Sequence, residues 1–298
     1  MPIGLAAGVI ALVFLREMRN RDVVMKLDAT GAALITASLG ALIYGVVNTT
    51  TLGWTSSSTL SWFVGGAAGL VGFLIWETQV ASHPLVPFRI FQSRGLSTAN
   101  LVMFLIGGAF FAMWYFLTFY YQYILGYGAV KAGFAFLPMS VAIIVGAQIS
   151  SRLLARVHAK PLLIVGTSLG TVGFLWMSLI EPHSSYVAAI LAPSMICAFA
   201  MGLLFTPLAS AATTGVDRAD AGLASGVLNT ARQLGGSLSL AILGTIAADQ
   251  SARFLHRTSS VALVSGYQRA FQVSALITVV ALGASLAVPR FIEPHPNH

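Results

Sequence analysis

Charged residues are scarce in this sequence, and their scarcity excludes an ordinary soluble fold. Asp, Glu, Lys and Arg make up 8% of the 298 residues, whereas soluble domains carry about 25%. Hydrophobic residues make up 57%, and the mean hydropathy is +0.84. A soluble chain of this length could not bury so much apolar surface, so we expect lipid to be the solvent.

Cysteine is almost absent, since Cys197 is the only one. A single cysteine excludes an intramolecular disulfide, a Cys-x-x-Cys motif and a thiolate metal cage. The six histidines all fall in connections or in the tail, with no His-Glu-x-x-His motif, nucleophile elbow or phosphate-binding loop. We therefore expect no enzyme activity, no metal site and no cofactor.

Acidic residues are also few, with nine Asp and Glu against sixteen Lys and Arg and a formal charge of +7. The basic residues stand singly or in small groups between apolar blocks. This placement is typical of the positive-inside topology of membrane proteins rather than of a nucleic-acid surface. We expect a lipid bilayer, and no nucleic acid, as partner.

The apolar residues form repeated blocks of roughly 20, the length of helix that crosses the hydrocarbon core. Each block should be a helix, because a segment in lipid must satisfy its own backbone hydrogen bonds. The predicted spans are Pro2 to Leu15, Ala29 to Asn48, Leu60 to Trp76, Ser97 to Ile124, Ala129 to Ser150, Pro161 to Ile180, Tyr186 to Pro207, Ala221 to Ala248 and Tyr267 to Val288. The first block is short. A signal peptide is its alternative, although the basic flank and the cleavage site are missing.

Basic residues in alternate connections predict the orientation. Connections on one side hold Arg16, Arg19, Arg21, Lys26, Arg89, Arg94, Arg152, Arg156, Lys160, Arg218 and Arg290; those on the other hold Lys131, Arg253, Arg257 and Arg269. The richer side should face the cytoplasm, which also places the C-terminus there. The connection from Glu77 to Gly95 lies on that side, either in the headgroup layer or as a plain linker.

Several stretches resemble one transporter family. Asp220-Ala-Gly-Leu-Ala-Ser-Gly-Val-Leu-Asn-Thr-Ala-Arg-Gln-Leu-Gly-Gly236 is similar to the penultimate helix of the EmrB/QacA-type, fourteen-helix drug:proton antiporters of the major facilitator superfamily. Pro2-Ile-Gly4 resembles their sixth helix, His83-Pro-Leu-Val-Pro-Phe-Arg-Ile-Phe91 the link into the second bundle, and Leu125-Gly-Tyr-Gly-Ala-Val-Lys-Ala-Gly-Phe-Ala-Phe-Leu-Pro138 an outer turn.

This resemblance implies an all-α, polytopic major facilitator fold without the first five helices. Residues 1–15 would end the sixth helix, residues 16–96 would form two linker helices with a cytoplasmic connection, and residues 97–298 would form the C-terminal six-helix bundle. The cytoplasmic loop Ser151-Arg-Leu-Leu-Ala-Arg-Val-His158 departs from the family pattern. Arg152 and Arg156 match that pattern, but Ala155 and His158 stand where an acidic residue and a glycine are usual.

Arg232 is the one charge that the sequence places deep in a span, roughly 18 Å beyond Asp220 along the helix. Buried charge is costly in lipid, so Arg232 should face protein or water. Small and polar residues recur around it at helical spacing, which predicts a stripe toward the bundle interior. Asn229, Arg232 and Gln233 would line the substrate path; the alternative is that they only bind neighbouring helices.

Other residues of the spans predict packing, bending or substrate contact. Phe111, Trp114 and Tyr115 are candidates for the cavity wall. Small residues that allow close helix contact are Gly166, Gly170, Gly222, Gly226, Gly235 and Gly236, with Gly65, Gly69 and Gly72 in the third span. Pro138, Pro193 and Pro207 are candidate helix kinks.

No Asp or Glu falls within a predicted span, and a proton-coupled carrier needs an ionisable group in its cavity that can change protonation. In the family that the chain resembles, such carboxylates commonly belong to the first bundle, so we expect this chain to lack the coupling site. An intact relative would export small lipophilic or cationic substrates in exchange for protons, by alternating access in the bacterial cytoplasmic membrane. This chain would supply one wall of that path, beside a possibly separate N-terminal bundle. The alternative is a non-transporting remnant or membrane interaction protein.

Overall fold

The computed structural model describes residues 28–82, 84–85, 88–214, 216–217, 220–254 and 258–289. These residues form nine α-helices and no β-strand. The helices are α1 (Ala29–Leu52), α2 (Ser57–Ile75), α3 (Arg94–Phe119), α4 (Ala129–Ala135), α5 (Leu137–Leu154), α6 (Ala159–Met177), α7 (Ala192–Thr213), α8 (Ala221–Ala252) and α9 (Ser259–Leu286). The predicted span Pro2 to Leu15 and the histidines of the tail lie outside the described residues.

Shorter helical turns extend some of these helices. The π-helical turns Trp76–Val80 and Tyr120–Ile124 continue α2 and α3, and Tyr186–Leu191 leads into α7. Phe88–Gln92 forms a 3₁₀ turn in the connection to α3. Pro138 stands in the first turn of α5, directly after the break from α4, and Pro193 in the first turn of α7. Pro207 lies inside α7, which continues through it.

Seven helical segments of the described chain are long and apolar enough to cross a membrane. They are Ala29–Thr49, Ser57–Val80, Arg94–Ile124, Ala129–Leu154, Ala159–Met177, Tyr186–Thr213 and Ser259–Leu286. This finding confirms seven of the predicted spans and the all-α multi-pass fold. The eighth, α8, is a continuous helix of 32 residues but falls short in hydropathy, because small and polar residues occupy much of its surface.

The helices pack around α3, which contacts α7, α8 and α9. In turn α7 contacts α5 and α6, and α9 contacts α6 and α8. The core between them includes Leu96, Ile106, Phe110, Phe174 and Phe271. The first two helices, α1 and α2, pack mainly against each other, and α1 also touches α8.

Glu77 corrects the expectation that no acidic residue falls within a span. The apolar segment continues to Val80, and Glu77 within it is only 4% exposed. Its Oε1 accepts a hydrogen bond from the backbone N–H of Leu85 at 3.1 Å. The chain after α2 folds back over the helix end, and its backbone donor supplies the partner that a buried carboxylate needs.

Hydrogen bonds and ion pairs link neighbouring segments at both ends of the helix bundle. At the predicted cytoplasmic end, Arg89 pairs with Asp217 at 3.2 Å and with Asp220 at 2.8 Å, and Lys160 Nζ donates to the carbonyl of Leu286. At the opposite end, the hydroxyl of Tyr120 donates to the carbonyl of Glu181 at 2.9 Å. The connections therefore sort to two faces, as alternating helices require.

Candidate functional site: an aromatic cavity at the crossing of α3 and α8

Glycines on both helices let α3 and α8 meet at backbone contact. A Cβ on Gly235 would overlap the carbonyl oxygen of Phe104, and one on Gly107 would stand 2.6 Å from the carbonyl oxygen of Arg232. A Cβ on Gly236 would stand 3.1 Å from the ring of Phe111. Because glycine has no side chain, α3 and α8 can cross this closely, and the backbone of Arg232 therefore lies against α3.

Beside this crossing lies a cavity of about 100 Å³. Residues from α3, α7 and α8 line it: Ile106, Gly107, Phe110, Phe111, Trp114, Met201, Phe205 and Arg232. Most of its wall is aromatic or aliphatic, and Arg232 is its one charged lining residue. Such a wall suits a flat, apolar molecule, while the guanidinium offers one strong polar contact.

Asn229 holds the guanidinium of Arg232. The Asn229 Oδ1 atom accepts from Nη2 at 2.8 Å and from Nε at 3.3 Å. The two residues stand three positions apart, so they share one face of α8. Because the amide is neutral, it orients the guanidinium without cancelling its charge.

The structure brings three of the six predicted path residues together, since Phe111, Trp114 and Arg232 line the same cavity. Asn229 reaches it only through Arg232, and Gln233 is exposed. Tyr115 points elsewhere: its ring packs edge-on against Phe119, with the centroids 4.6 Å apart.

The polar stripe of α8 is exposed in the described bundle, so its predicted orientation toward the substrate path stays a prediction. Ser225, Asn229 and Gln233 are exposed, while the opposite residues Ala224 and Leu228 are buried. Within the described chain, α3 packs on the apolar side of this helix and the polar side is exposed. Within the described chain no atom lies within 4 Å of a Cβ built on Gly222 or Gly226, so this pair forms no close helix contact there.

Some of the other predicted glycines stand at a close helix contact, and others face open space in the described chain. A Cβ on Gly166 would stand 2.7 Å from the side chain of Leu204, and one on Gly170 would stand 3.3 Å from Phe110. In α2, Gly69 meets Ser38 of α1, whereas Gly65 and Gly72 have open space in the described chain. Gly66, which was not predicted from the sequence, also makes a close contact, since its Cβ would stand 2.7 Å from the side chain of Leu42.

Five lining residues were not predicted from the sequence: Ile106, Gly107, Phe110, Met201 and Phe205. They are apolar residues in apolar helices, and nothing in their spacing separates a cavity-facing residue from a lipid-facing one. Arg232 was found because charge inside a span is rare and informative.

A second, polar cavity of about 380 Å³ opens between the first half of α9 and the end of α8. Its lining residues are Ile246, Asp249, Gln250, Arg253, Ser265, Gln268, Arg269, Gln272 and Val273. Arg269, counted with the connections in the sequence analysis, lies inside α9 and donates to Gln272 Oε1 at 3.1 Å. Asp249 likewise falls inside α8, which runs past its predicted end.

The two predicted loop arginines lie at the surface. Arg152 stands in the last turn of α5 and Arg156 in the connection to α6, and both are exposed. In the part of the chain that the structure describes, no cluster of three or more His, Cys, Asp or Glu could hold a metal ion.

The sequence profile of the Major Facilitator Superfamily matches residues 3–240. The chain belongs to this superfamily. It is 39% identical over 248 residues to the cephamycin export protein CmcT of Amycolatopsis lactamdurans, and this match covers 83% of the chain and 51% of the relative. It is therefore a multi-pass membrane protein of a transporter superfamily.

Two further major facilitator relatives come from Streptomyces. The tetracenomycin C resistance and export protein of Streptomyces glaucescens is 31% identical over 84% of the chain and 46% of the relative. The puromycin resistance protein pur8 of Streptomyces alboniger is 30% identical over 94% of the chain and 56% of the relative. The chain thus spans about half the length of the curated relatives it matches, which are named for export or resistance and not for an enzyme activity.

Proposed function

We propose that the chain forms the second half of a secondary active exporter of small lipophilic compounds. The carrying observation is the cavity at the α3–α8 crossing, where aromatic side chains and one guanidinium meet. The relatives named for export or resistance to cephamycin, tetracenomycin C and puromycin support the same function. The cavity of about 100 Å³ is smaller than the roughly 300 Å³ at which pockets for drug-sized ligands begin, so it would form only part of the substrate path.

The position of the cavity suits a transport path. Arg232 stands eleven residues into α8, or roughly 17 Å from its start. The lining residues of α3 also come from the middle of their helix. In exporters that work by alternating access, the substrate binds near the midplane between two bundles that rock against each other.

The exposed side of α8 supports a partner bundle. It carries Gly222, Ser225, Gly226 and Gln233, and small and polar residues are those through which membrane helices associate. We propose that α3 to α9 form the second bundle, that α1 and α2 are the linker helices, and that an N-terminal bundle covers this side of α8. This arrangement is that of the EmrB/QacA-type, fourteen-helix antiporters.

Coupling to protons would then rest on the partner bundle. None of the residues that line the aromatic cavity is acidic. A proton-coupled carrier needs a group in the cavity that changes protonation, so we place the coupling carboxylates opposite this wall. The C-terminus would lie in the cytoplasm of a bacterial cell, on the side of Arg152, Arg156 and Lys160.

Co-expression tests this proposal. The chain is produced in an efflux-deficient bacterium, alone and together with a separately encoded N-terminal six-helix bundle of the cephamycin exporter. Accumulation of a fluorescent lipophilic compound is then measured before and after a protonophore is added. We expect the pair to lower accumulation and the protonophore to restore it. Unchanged accumulation with both halves present in the membrane would instead favour a non-transporting interaction protein.

A further inference from the structure

The aromatic cavity has one positively charged lining residue and no negatively charged one. Of the residues that line it, Arg232 alone is charged, and its partner Asn229 is neutral. The whole sequence carries no Asp or Glu between residues 78 and 180, between 182 and 216, or between 221 and 248. The cavity-lining parts of α3, α7 and α8 therefore cannot neutralise the guanidinium.

The described acidic residues all stand near helix ends. Asp28 caps α1 and Glu77 ends the α2 segment. Glu181 lies between α6 and α7, and Asp249 lies in the last turn of α8, which ends at Ala252. Asp217 and Asp220 precede α8 and are paired with Arg89. Each is thus held away from the middle of the spans, where the cavity lies.

We infer, on the basis of the proposed function, that this wall selects lipophilic anions over lipophilic cations. The substrate class is a flat, apolar molecule that carries a carboxylate or a similar monoanionic group. The anion would accept from the guanidinium of Arg232, and the apolar part would lie against Phe111 and Trp114. This selectivity departs from the lipophilic or cationic substrates that the family resemblance implies.

The balance of forces favours the anion. Guanidinium forms strong, charge-assisted hydrogen bonds with a carboxylate, in a geometry that can be bidentate. A cation would gain some attraction from the ring faces of Phe110, Phe111 and Trp114. The guanidinium repels a second positive charge at short distance, and this repulsion opposes that gain.

A matched pair of probes tests the inference. The chain is reconstituted into lipid nanodiscs and titrated with 4-nitrobenzoate or 4-nitrobenzylammonium, which share a single ring suited to a cavity of about 100 Å³ and differ in charge. Quenching of tryptophan fluorescence by the nitro group reports binding, and empty nanodiscs correct for partition into lipid. We expect the carboxylate to bind about tenfold more tightly than the ammonium, a difference within the reach of one charge contact.

Variants assign the preference to one side chain. Arg232→Gln should reduce the tenfold ratio to about one, Arg232→Lys should retain most of it, and Arg232→Glu should reverse it. Arg253→Gln is the matched control, because it removes the same charge from the far end of the same helix. It should leave the ratio unchanged.

Three results overturn the inference, and they can be told apart. Equal binding of both probes, unaffected by Arg232→Gln, leaves the cavity as a site and removes its charge selectivity alone. Binding of neither probe above empty nanodiscs removes the cavity as a site, and the proposed function loses its carrying observation as well. A preference that Arg253→Gln abolishes would also overturn the inference, because the surface charge would then explain it.

Discussion

At two helix crossings in this protein, glycines let the helix backbones come into contact, but the residues beside the two crossings differ. At the α5–α7 crossing, a Cβ on Gly146 would overlap the carbonyl oxygen of Phe199, and one on Gly202 would overlap that of Ile143. At the α3–α8 crossing, Gly107 and Gly235 bring the backbones equally close. Beside the first crossing, the buried hydroxyl of Ser150 donates to the carbonyl of Leu203 at 2.8 Å. Beside the second lies the cavity with Arg232.

The comparison separates what glycine does from what the neighbouring residues do. Glycine at either crossing sets only how closely two helices approach. The side chains beside the two crossings differ. Beside the α5–α7 crossing, which we call the sealed crossing, the short hydroxyl of Ser150 bonds to a neighbouring carbonyl. Beside the α3–α8 crossing, which we call the open crossing, the long guanidinium of Arg232 lies among aromatic rings. We therefore expect the glycines to matter for folding at both crossings and the polar side chain to matter for transport at one.

The largest effect should come from filling either crossing. Gly235→Leu and Gly202→Leu should each destabilise the chain by about 3 kcal/mol or more, because their side chains would force the backbones apart. The temperature of half loss of the monodisperse peak, measured by size exclusion in detergent, checks this. Gly226→Leu is the control and should be tolerated, since its Cβ meets open space in the described chain. Equal losses for all three variants would contradict the comparison.

Next in size is the loss of the charge beside the open crossing. In the co-expressed pair of bundles, Arg232→Ala should lower export at least about tenfold, a change that one lost charged contact can produce. Thermal stability should change little, because among the described residues the guanidinium bonds only to Asn229 of its own helix. Arg152→Ala, an exposed change at the membrane border, serves as control. Normal export by Arg232→Ala at normal expression would remove this residue from the mechanism.

A smaller effect is expected beside the sealed crossing. Ser150→Ala leaves the carbonyl of Leu203 without its side-chain donor and removes a buried hydrogen bond, so it should destabilise the chain by about 1 kcal/mol. Ser237→Ala is the matched change beside the open crossing. In the part of the chain that the structure describes, the Ser237 hydroxyl bonds only to the carbonyl of Gln233 on its own helix, so the loss should be close to zero. Thermal unfolding followed by near-ultraviolet circular dichroism would resolve the difference; a reversed order would show that α5 and α7 are not held as described.

The smallest effect tests which surface a partner bundle covers. In the chain alone, Gly226→Ala should stabilise by up to about 1 kcal/mol, because alanine favours the helix and nothing in the described chain opposes its methyl group. In the pair of bundles the sign should reverse, since a partner helix would be pushed away. Comparing the thermal transition with and without the N-terminal bundle gives both values. The same sign in both states would mean that this side of α8 is not the interface.

Much of the fold could be predicted from hydropathy alone. The predicted span Ala29 to Asn48 ends one residue from the observed segment, and the one from Ser97 begins three residues late. The error at Glu77 has a physical origin, since its burial depends on a backbone donor from Leu85 that only the folded connection supplies. The polar face of α8 was placed inward because polar groups avoid lipid, but the described chain covers the opposite face.

The candidate site was predictable only where it held a rare residue. Arg232 was evident because a charge in the middle of a span is costly and needs a reason. Phe111 and Trp114 were guessed from an aromatic-rich helix, and the same argument chose Tyr115, which packs on Phe119 instead. Phe205 comes from another helix, and only the packing of α7 beside α3 brings it to the cavity.

The sequence by itself determined that this chain is helical and crosses a membrane several times, because hydrocarbon offers no hydrogen bonds and each apolar segment must satisfy its own backbone. The tertiary structure alone decided which side chains meet at the cavity and which face of α8 is uncovered. An apolar residue is equally compatible with lipid and with a neighbouring helix. Only close helix contacts, set by glycines such as Gly107 and Gly235, could choose between the two.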